Sequence, residues 1–500
     1  MKRFLMSCIL LIVFSASTAR AAFTTSGDVI PTDPSNWTSS ATGYVGKTGT
    51  GTLTVDGGSN LLSYNGYLGY DSGSSGTVTV TGTSSTWTNN AGGLFVGYNG
   101  TGTLNIIDGG VVSNRYQQGD FGGVIGTNPG STGVVTVDGV GSMWINVYGL
   151  FVGYNGSGTL NITGGGSVVN GQQQSTYSGA AMIGSTGVVT VAGTGSSWTD
   201  GSDLFVLGTL NITGNGAVSN FNDYIGYHSV SGSTSTVTMD GSNSTWTNNG
   251  SLYVGYTNTG SVTQTGGTIS VAGTLYLGNE SVSGTYNLNG GRLVANSIAN
   301  GSGTGAFNFG GGTLQASGSF STGLPMTLTG TSGNANVNTN GYTVTLSGVL
   351  FGTGGLNKTG AGTLMLTAAE TYSGDTTVNG GTLAITGGIG DGGTTLIDVQ
   401  SGAAILSTTN INKSDLDIVT ASGATFDVAG GTHVVGDISG DGITKVDAGA
   451  SLTVASLRQG TLIIGGAGAT AVPEPSTFAL LGMSAFGFLA WVCRRSCKAI

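Results

Sequence analysis

The residue types that do acid–base or metal chemistry are few and dispersed in this sequence. The closest carboxylate pairs are Asp200/Asp203 and Asp415/Asp417. A spacing of two on a strand puts both side chains on one face, and convergent carboxylates are what cleavage of a glycosidic bond requires. Solvated turn residues account for both pairs more simply. Between Phe23 and Val472 the only glutamates are Glu280 and Glu370, and the two histidines, His228 and His433, stand far apart. Neither a catalytic triad nor a histidine-rich metal site is expected from them. Cys8, Cys493 and Cys497 all lie near the termini, which leaves the central span without a thiol for a disulfide, a metal or nucleophilic attack.

One segment, Gly436-Asp437-Ile438-Ser439-Gly440-Asp441-Gly442-Ile443, resembles the start of an EF-hand calcium loop. The pattern fails at its end, where the bidentate acid would fall on Ala448 and Asp447 is one position short. A Gly-Asp turn between strands is the simpler expectation. The glycine runs lack the lysine of a phosphate-binding loop and read as corners. No cofactor and no metal are expected, and the chain reads as a non-enzyme.

The elements that would carry any site are strands. Of 500 residues 96 are Gly, 6 are Pro and 7% are charged. Apolar residues alternate with Ser, Thr, Asn and Gly, a strand-and-turn composition in which long helices are disfavoured. Seven basic and 22 acidic residues lie between Phe23 and Val472, so nucleic acid is not an expected partner.

Internal repetition decides the architecture. LFVGYNGTGTLNI at 94–106 returns as LFVGYNGSGTLNI at 150–162, with a first copy at 44–55, a shortened LFVLGTLNI at 204–212 and a divergent copy at 252–262. Between them recurs a string ending at Trp87, Trp144, Trp198 and Trp246, in steps of 57, 54 and 48 residues. Both strings pair alternating apolar residues, such as Leu160/Ile162 or Val189/Val191, with a Gly-rich corner. The unit is therefore half the long period, about 25 residues, within the solenoid range. The expected fold is all-β, a right-handed parallel β-helix of about 18 coils stacked at ~4.8 Å. A β-propeller is the competing architecture. The recurring Trp is expected to pack in the core or a corner rather than to form a ligand platform.

The two ends read as addresses. Lys2-Arg3, an apolar run from Phe4 to Phe14 and Ala19-Arg20-Ala21 form a secretory signal pattern, with cleavage expected after Ala21. At the other end Pro473-Glu474-Pro475 precedes the 15 apolar residues 478–492 and then Arg494-Arg495. The apolar run is short for a bilayer and would need flanking residues or local thinning to span it. The arginines would stay on the cytoplasmic side. This end, 472–498, closely resembles the PEP-CTERM sorting signal. The resemblance implies recognition, with processing near the motif, by an exosortase, and association with extracellular polysaccharide or biofilm. Cys493 and Cys497 fall outside the motif and are assigned no role.

Residues 44–260 resemble the repeat shared by type V secretion passengers and PEP-CTERM proteins. Residues 355–386 resemble the autotransporter-associated β-strand repeat, through Lys358-Thr359-Gly360, Gly362-Thr363-Leu364, Tyr372-Ser373-Gly374 and Gly380-Gly381-Thr382-Leu383. That resemblance implies a surface passenger. A translocator barrel is not expected, because the sequence ends in one apolar stretch rather than many alternating strands.

The expected organisation is a signal peptide (1–21), an N-terminal cap (22–43), paired half-repeat coils (44–270), divergent coils (271–353), the autotransporter-associated repeat (354–387), terminal coils (388–471) and the sorting signal (472–498). The expected role is structural, at the cell surface or in the matrix, with the C-terminal helix as a stable or transient membrane anchor. An adhesin and a polysaccharide-active β-helix enzyme remain alternatives. Exposed Tyr and Trp along one face would favour the adhesin, and clustered carboxylates in a groove would favour the enzyme.

Overall fold

The computed structural model describes residues 22–115, 122–171, 179–227, 234–406, 410–465 and 470–473. They form a parallel β-solenoid of about 17 turns, close to the number expected from the repeat length. Apart from the pairings of the first two strands, every pairing is parallel and joins neighbouring turns, for example Gly102–Ile107 with Gly76–Thr81 and with Gly133–Asp138. This register excludes a propeller, whose blades are antiparallel meanders.

Through residue 264 each turn has three sides. A short strand such as Leu94–Val96 leads through a corner to a long strand such as Thr101–Ile107, which leads to a four-residue strand such as Val111–Asn114. The long strands form one 14-stranded sheet. The other two sides join in a 34-stranded sheet, because later strands such as Thr268–Leu277 and Arg292–Asn300 run continuously around a corner. Alternation sets the inside. Leu53, Val78, Leu104, Val135, Leu160, Val189, Leu210, Val237, Val262, Tyr286 and Phe307 stack in register on the long side, all buried. No single turn could bury that row alone; stacking makes one continuous core.

The core explains why the obvious sequence period is two turns. On the four-residue side the inward position reads Leu61, Trp87, Val112, Trp144, Val168, Trp198, Val218, Trp246, Ile269. The first residue of the short strand alternates in antiphase. It is Gly66, Gly123, Ala181 or Asp223 in the Trp turns, and Leu94, Leu150, Leu204 or Leu252 in the others. Each layer thus holds either an indole facing a small or short residue, or an aliphatic residue facing a leucine, at roughly constant volume. A Cβ on Gly123 would lie 2.7 Å from the Trp144 ring, and one on Gly66 2.5 Å from Trp87. All four Trp are fully buried, the core role expected for them.

At the N-terminal end two strands run antiparallel to the first turn. Ala22–Gly27 pairs with Gly51–Asp56, and Val29–Ile30 with Tyr44–Val45. Trp37 inserts below Gly43 and donates its indole N–H to the Pro31 carbonyl at 2.8 Å. These strands occupy the edge on which a further coil would otherwise stack.

Candidate interaction surface

The side of the solenoid that carries exposed chemistry is the corner after each short strand. In Leu94-Phe95-Val96-Gly97-Tyr98, Leu94 and Val96 point inward, so Phe95 must point out. Gly97 takes φ +74°, and a Cβ there would sit 2.2 Å from the Thr132 carbonyl oxygen of the next turn, so glycine is required. That left-handed step places Tyr98 beside Phe95, with ring centroids 5.7 Å apart, edge to face.

Repetition turns this local feature into two files of rings. The first runs Tyr44, Tyr67, Phe95, then Val124, Phe151, Met182, then Phe205, Tyr224, Tyr253, Tyr276, in strand register. Successive rings stack at 4.8–5.3 Å where aromatic meets aromatic. The second file includes Tyr70 and Tyr98, stacked at 5.0 Å, and Tyr227 and Tyr256 at 6.1 Å. The rings are half-buried, and Tyr154 is 43% exposed. Burial among its neighbours raises the Tyr67 phenol to about 12, so it stays a neutral hydroxyl.

A second, buried file explains the Asn that closes the four-residue strand. Asn89 donates to Asn114 at 2.9 Å, Asn114 to Asn146 at 2.7 Å and Asn146 to Asn170 at 3.2 Å. Each amide but the last donates to the next, which satisfies most of the line where it is buried; among the described residues the Nδ2 of Asn170, at its end, has no partner. Asp200 takes the next place in register and turns to the backbone N–H groups of Ala181 and Ser202. Two turns of the chain later, Asp223 accepts from Asn220 and Asn248. Burial raises the Asp200 carboxyl to about 7 and that of Asp223 to about 8.

The residues weighed for chemistry are dispersed. Asp203 accepts from Asn222. Asp415 pairs with Lys413, while Asp417 accepts the Asp437 N–H, so that pair serves the scaffold. Glu370 is buried, accepts the Leu350 N–H at 2.6 Å and has its carboxyl raised by burial to about 8. His433 lies in the core. Its Nδ1 accepts from Ile411 N–H and its Nε2 is 2.7 Å from the Gly430 carbonyl, which fixes the Nε2–H tautomer. The calcium-like segment is not a turn at all: residues 436–443 lie within the strand Thr432–Val446, and Asp437 accepts from Ser456. Among the described residues no group of three His, Cys, Asp or Glu is placed to hold a metal ion. His228, Ala21, Glu474, Pro475, Arg494 and Arg495 lie outside the described residues, as does the apolar run 478–492. Pro473 ends the last described strand, Thr470–Pro473. Among the described residues no helix is long and apolar enough to cross a membrane.

The repeat around Lys358 has its own buried polar group. The ammonium donates to the carbonyls of Thr359, Gly360 and Gly380 at 3.0, 2.8 and 2.9 Å. Tyr372, fully buried, is 2.7 Å from the Thr376 hydroxyl. The Lys-Thr-Gly and Gly-Gly elements of the motif are thus the two sides of one hydrogen-bonded corner.

Fold and surface together define a passenger-like parallel β-solenoid. The chain carries a passenger-associated-transport-repeat at 356–385 and a PEP-CTERM protein-sorting motif at 471–495. It is 28% identical over 364 residues to the adhesin BmaC autotransporter of Brucella suis biovar 1 (strain 1330), a match covering 68% of this chain and 9% of that protein. It is 42% identical over 79 residues to the uncharacterized lipoprotein YdeK of Escherichia coli (strain K12), covering 16% of this chain and 5% of the relative. The chain therefore matches less than a tenth of the length of either relative. The sorting motif and the adhesin likeness support an exported, surface-directed protein, and the repeats favour a structural over a catalytic role.

The aromatic files were within reach of sequence reading. Their signal is a Phe or Tyr between the two inward residues and a Tyr after the corner Gly, repeated in each LFVGY-type string. The Asn file shows as an Asn three residues after the third-strand start, in TWTN, VVSN, MWIN and SVVN.

Proposed function

We propose that the chain is exported by its N-terminal signal, recognised by an exosortase at Pro473-Glu474-Pro475, and works outside the cell as a structural, adhesin-like rod in contact with extracellular polysaccharide. The observation that carries this reading is the sorting motif at 471–495, directly following a solenoid that includes a passenger repeat. The apolar segment 478–492 holds the chain in the membrane during sorting, with Arg494 and Arg495 on the cytoplasmic side. The aromatic corner is the surface the rod offers to its surroundings. It supports an adhesive role better than an enzymatic one, because the carboxylates are spread through the scaffold rather than gathered in a groove. The test is fractionation of cells expressing the wild type or Glu474→Gln. The variant is expected to accumulate in the membrane at its unprocessed size. Identical size and location for both proteins would overturn motif-dependent sorting.

A further inference from the structure

The long side of the solenoid presents a face unlike the aromatic corner. Its buried residues, from Leu53 onward, point into the core, so the residues on either side of them point to solvent. One outward file runs from Thr54 to Asn308 through eleven successive turns and holds only Thr or Asn. The file beside it runs from Thr52 to Ala306 and holds seven Thr, with Ser, Val or Ala in the other turns. The antiparallel cap extends both files by one place, with Thr24 beside Thr54 and Ser26 beside Thr52. The chain as a whole is acidic, yet neither file contains a charged or an aromatic residue. Carboxylates such as Asp138 and Asp240 stand at the margin, where the strand meets the next corner.

Regularity sets this face apart from the others. No register shift interrupts its pairing from Thr52 to Ala306. The 34-stranded sheet, in contrast, shifts between Val271 and Thr274 and again between Gly440 and Ile443. On the four-residue side an outward file mixes Val111, Met143, Ser167 and Ala217. The long face is thus a two-dimensional lattice of side chains, spaced ~4.8 Å from turn to turn and ~6.6 Å along each strand. Threonine is stiff at χ1, so its methyl and hydroxyl groups are held in a restricted arrangement before any partner arrives. Bonds between turns steady the polar groups. Asn308 donates to Asn287 at 2.8 Å, Asn287 donates to Thr263 at 3.2 Å, and the Thr209 and Thr236 hydroxyls lie 3.3 Å apart.

We propose that this face binds ice. A partner that fits it is uncharged, repeats in two dimensions and both donates and accepts hydrogen bonds at every point. Crystalline water has all three properties, and the oxygen repeats on its prism face are of the same size as the two spacings of the side-chain lattice. The methyl groups order the water beside them, and the hydroxyl and amide groups donate to it and accept from it. A water layer held in that pattern joins the crystal with little rearrangement. Eleven turns at ~4.8 Å and a strand length of ~17 Å give a face of roughly 850 Å², the size of one side of a stable interface at ~800 Å². A crystalline polysaccharide fits less well, because its apolar sugar faces suit aromatic rings, which both files lack. A second copy of the chain fits less well too, because each hydroxyl and amide buried against it would need its own partner. The proposal is independent of sorting and of the contact with polysaccharide, since no residue of the face lies in the sorting motif or the aromatic corner.

The experiment is the slow cooling of a single ice crystal in a solution of the purified full chain. The wild type is expected to facet the crystal and to hold its freezing point below its melting point. Thr159→Tyr and Thr136→Tyr each raise a bulky ring from the middle of the lattice and are expected to lose most of that activity. Thr247→Tyr, at an exposed outward position on the four-residue side, is expected to keep it; circular dichroism confirms that each variant is folded. Round, unshaped crystals with the wild type, or equal loss in Thr159→Tyr and Thr247→Tyr, would overturn the proposal. So would a wild-type dimer in sedimentation that Thr159→Tyr dissociates, since the face would then belong to a second copy.

Discussion

Exchanging the two layer types of the core at one turn tests how the sequence encodes the stack. In the turn of Trp144 the indole faces Gly123, and in the turns on either side Val112 faces Leu94 and Val168 faces Leu150. Trp144→Val alone removes most of a fully buried indole and leaves a cavity, at a cost of ~2–4 kcal/mol. Gly123→Leu alone forces a side chain into the indole, since even its Cβ would lie 2.7 Å from the ring and 3.1 Å from Leu150 Cδ1; such overpacking costs ~1–3 kcal/mol or more. The double variant recreates the Val-facing-Leu layer of its neighbours, so its cost should be about 1–2 kcal/mol, giving a favourable coupling of at least ~1 kcal/mol. Amide hydrogen exchange along Met143–Asn146 and Gly123–Ile125 is the suitable assay, because a stack of repeats opens locally rather than all at once. Costs that simply add, within ~0.5 kcal/mol, would refute constant layer volume as the origin of the two-turn period.

Other parts of the scaffold give sharp expectations. Asp200 and Asp223 are raised by burial to about 7 and about 8, so the folded chain holds protons that the unfolded chain releases near pH ~4; stability should be full below that pH, fall as pH rises to about 8 and level off above it. Asp200→Asn should flatten part of that fall, as read from urea unfolding at pH 5 and pH 8. Lys358→Met keeps the volume but strips three carbonyls of their shared donor, and should cost ~3 kcal/mol or more, read as early loss of exchange protection around Leu356–Thr359. Asn114→Leu breaks the amide file in the middle, orphaning the Asn89 amide N–H and the Asn146 carbonyl, and should cost ~2–4 kcal/mol in the same assay. Gly97→Ala should destabilise by ~1–3 kcal/mol, since φ +74° and the Thr132 carbonyl both oppose a methyl group there.

Much of this was legible because a solenoid writes its structure as periodicity. Alternation in GTLNI gives the buried face directly, and the recurrence of that string gives the stacking. The Trp steps of 48–57 residues showed that the long period holds two units, but not why. The reason is the volume exchange between Trp144 and Gly123 on different sides of one turn, a contact that lies between strings rather than within one. The aromatic corner was hidden for the opposite cause: Phe95 and Tyr98 sit in a string that reads as core, and only the outward direction of every second residue separates them from it. The calcium-like segment misled in its local shape because Gly-Asp pairs signal turns, whereas Asp437 and Gly440 pair with the next turn as part of a continuous strand. Nor did the spacing of Asp200 from Asp203 reveal that Asp200 takes an amide's place in a buried file, since that follows from its register with Asn170.

The central claim, an exported solenoid sorted through its C-terminal motif, is tested most directly by the intact mass of the protein recovered from the cell exterior. The protein recovered there is expected to begin at Ala22 and to end near Pro473–Pro475, without residues 478–500. Recovery of the whole chain from Met1 to Ile500, or its confinement to the cytoplasm, would contradict it.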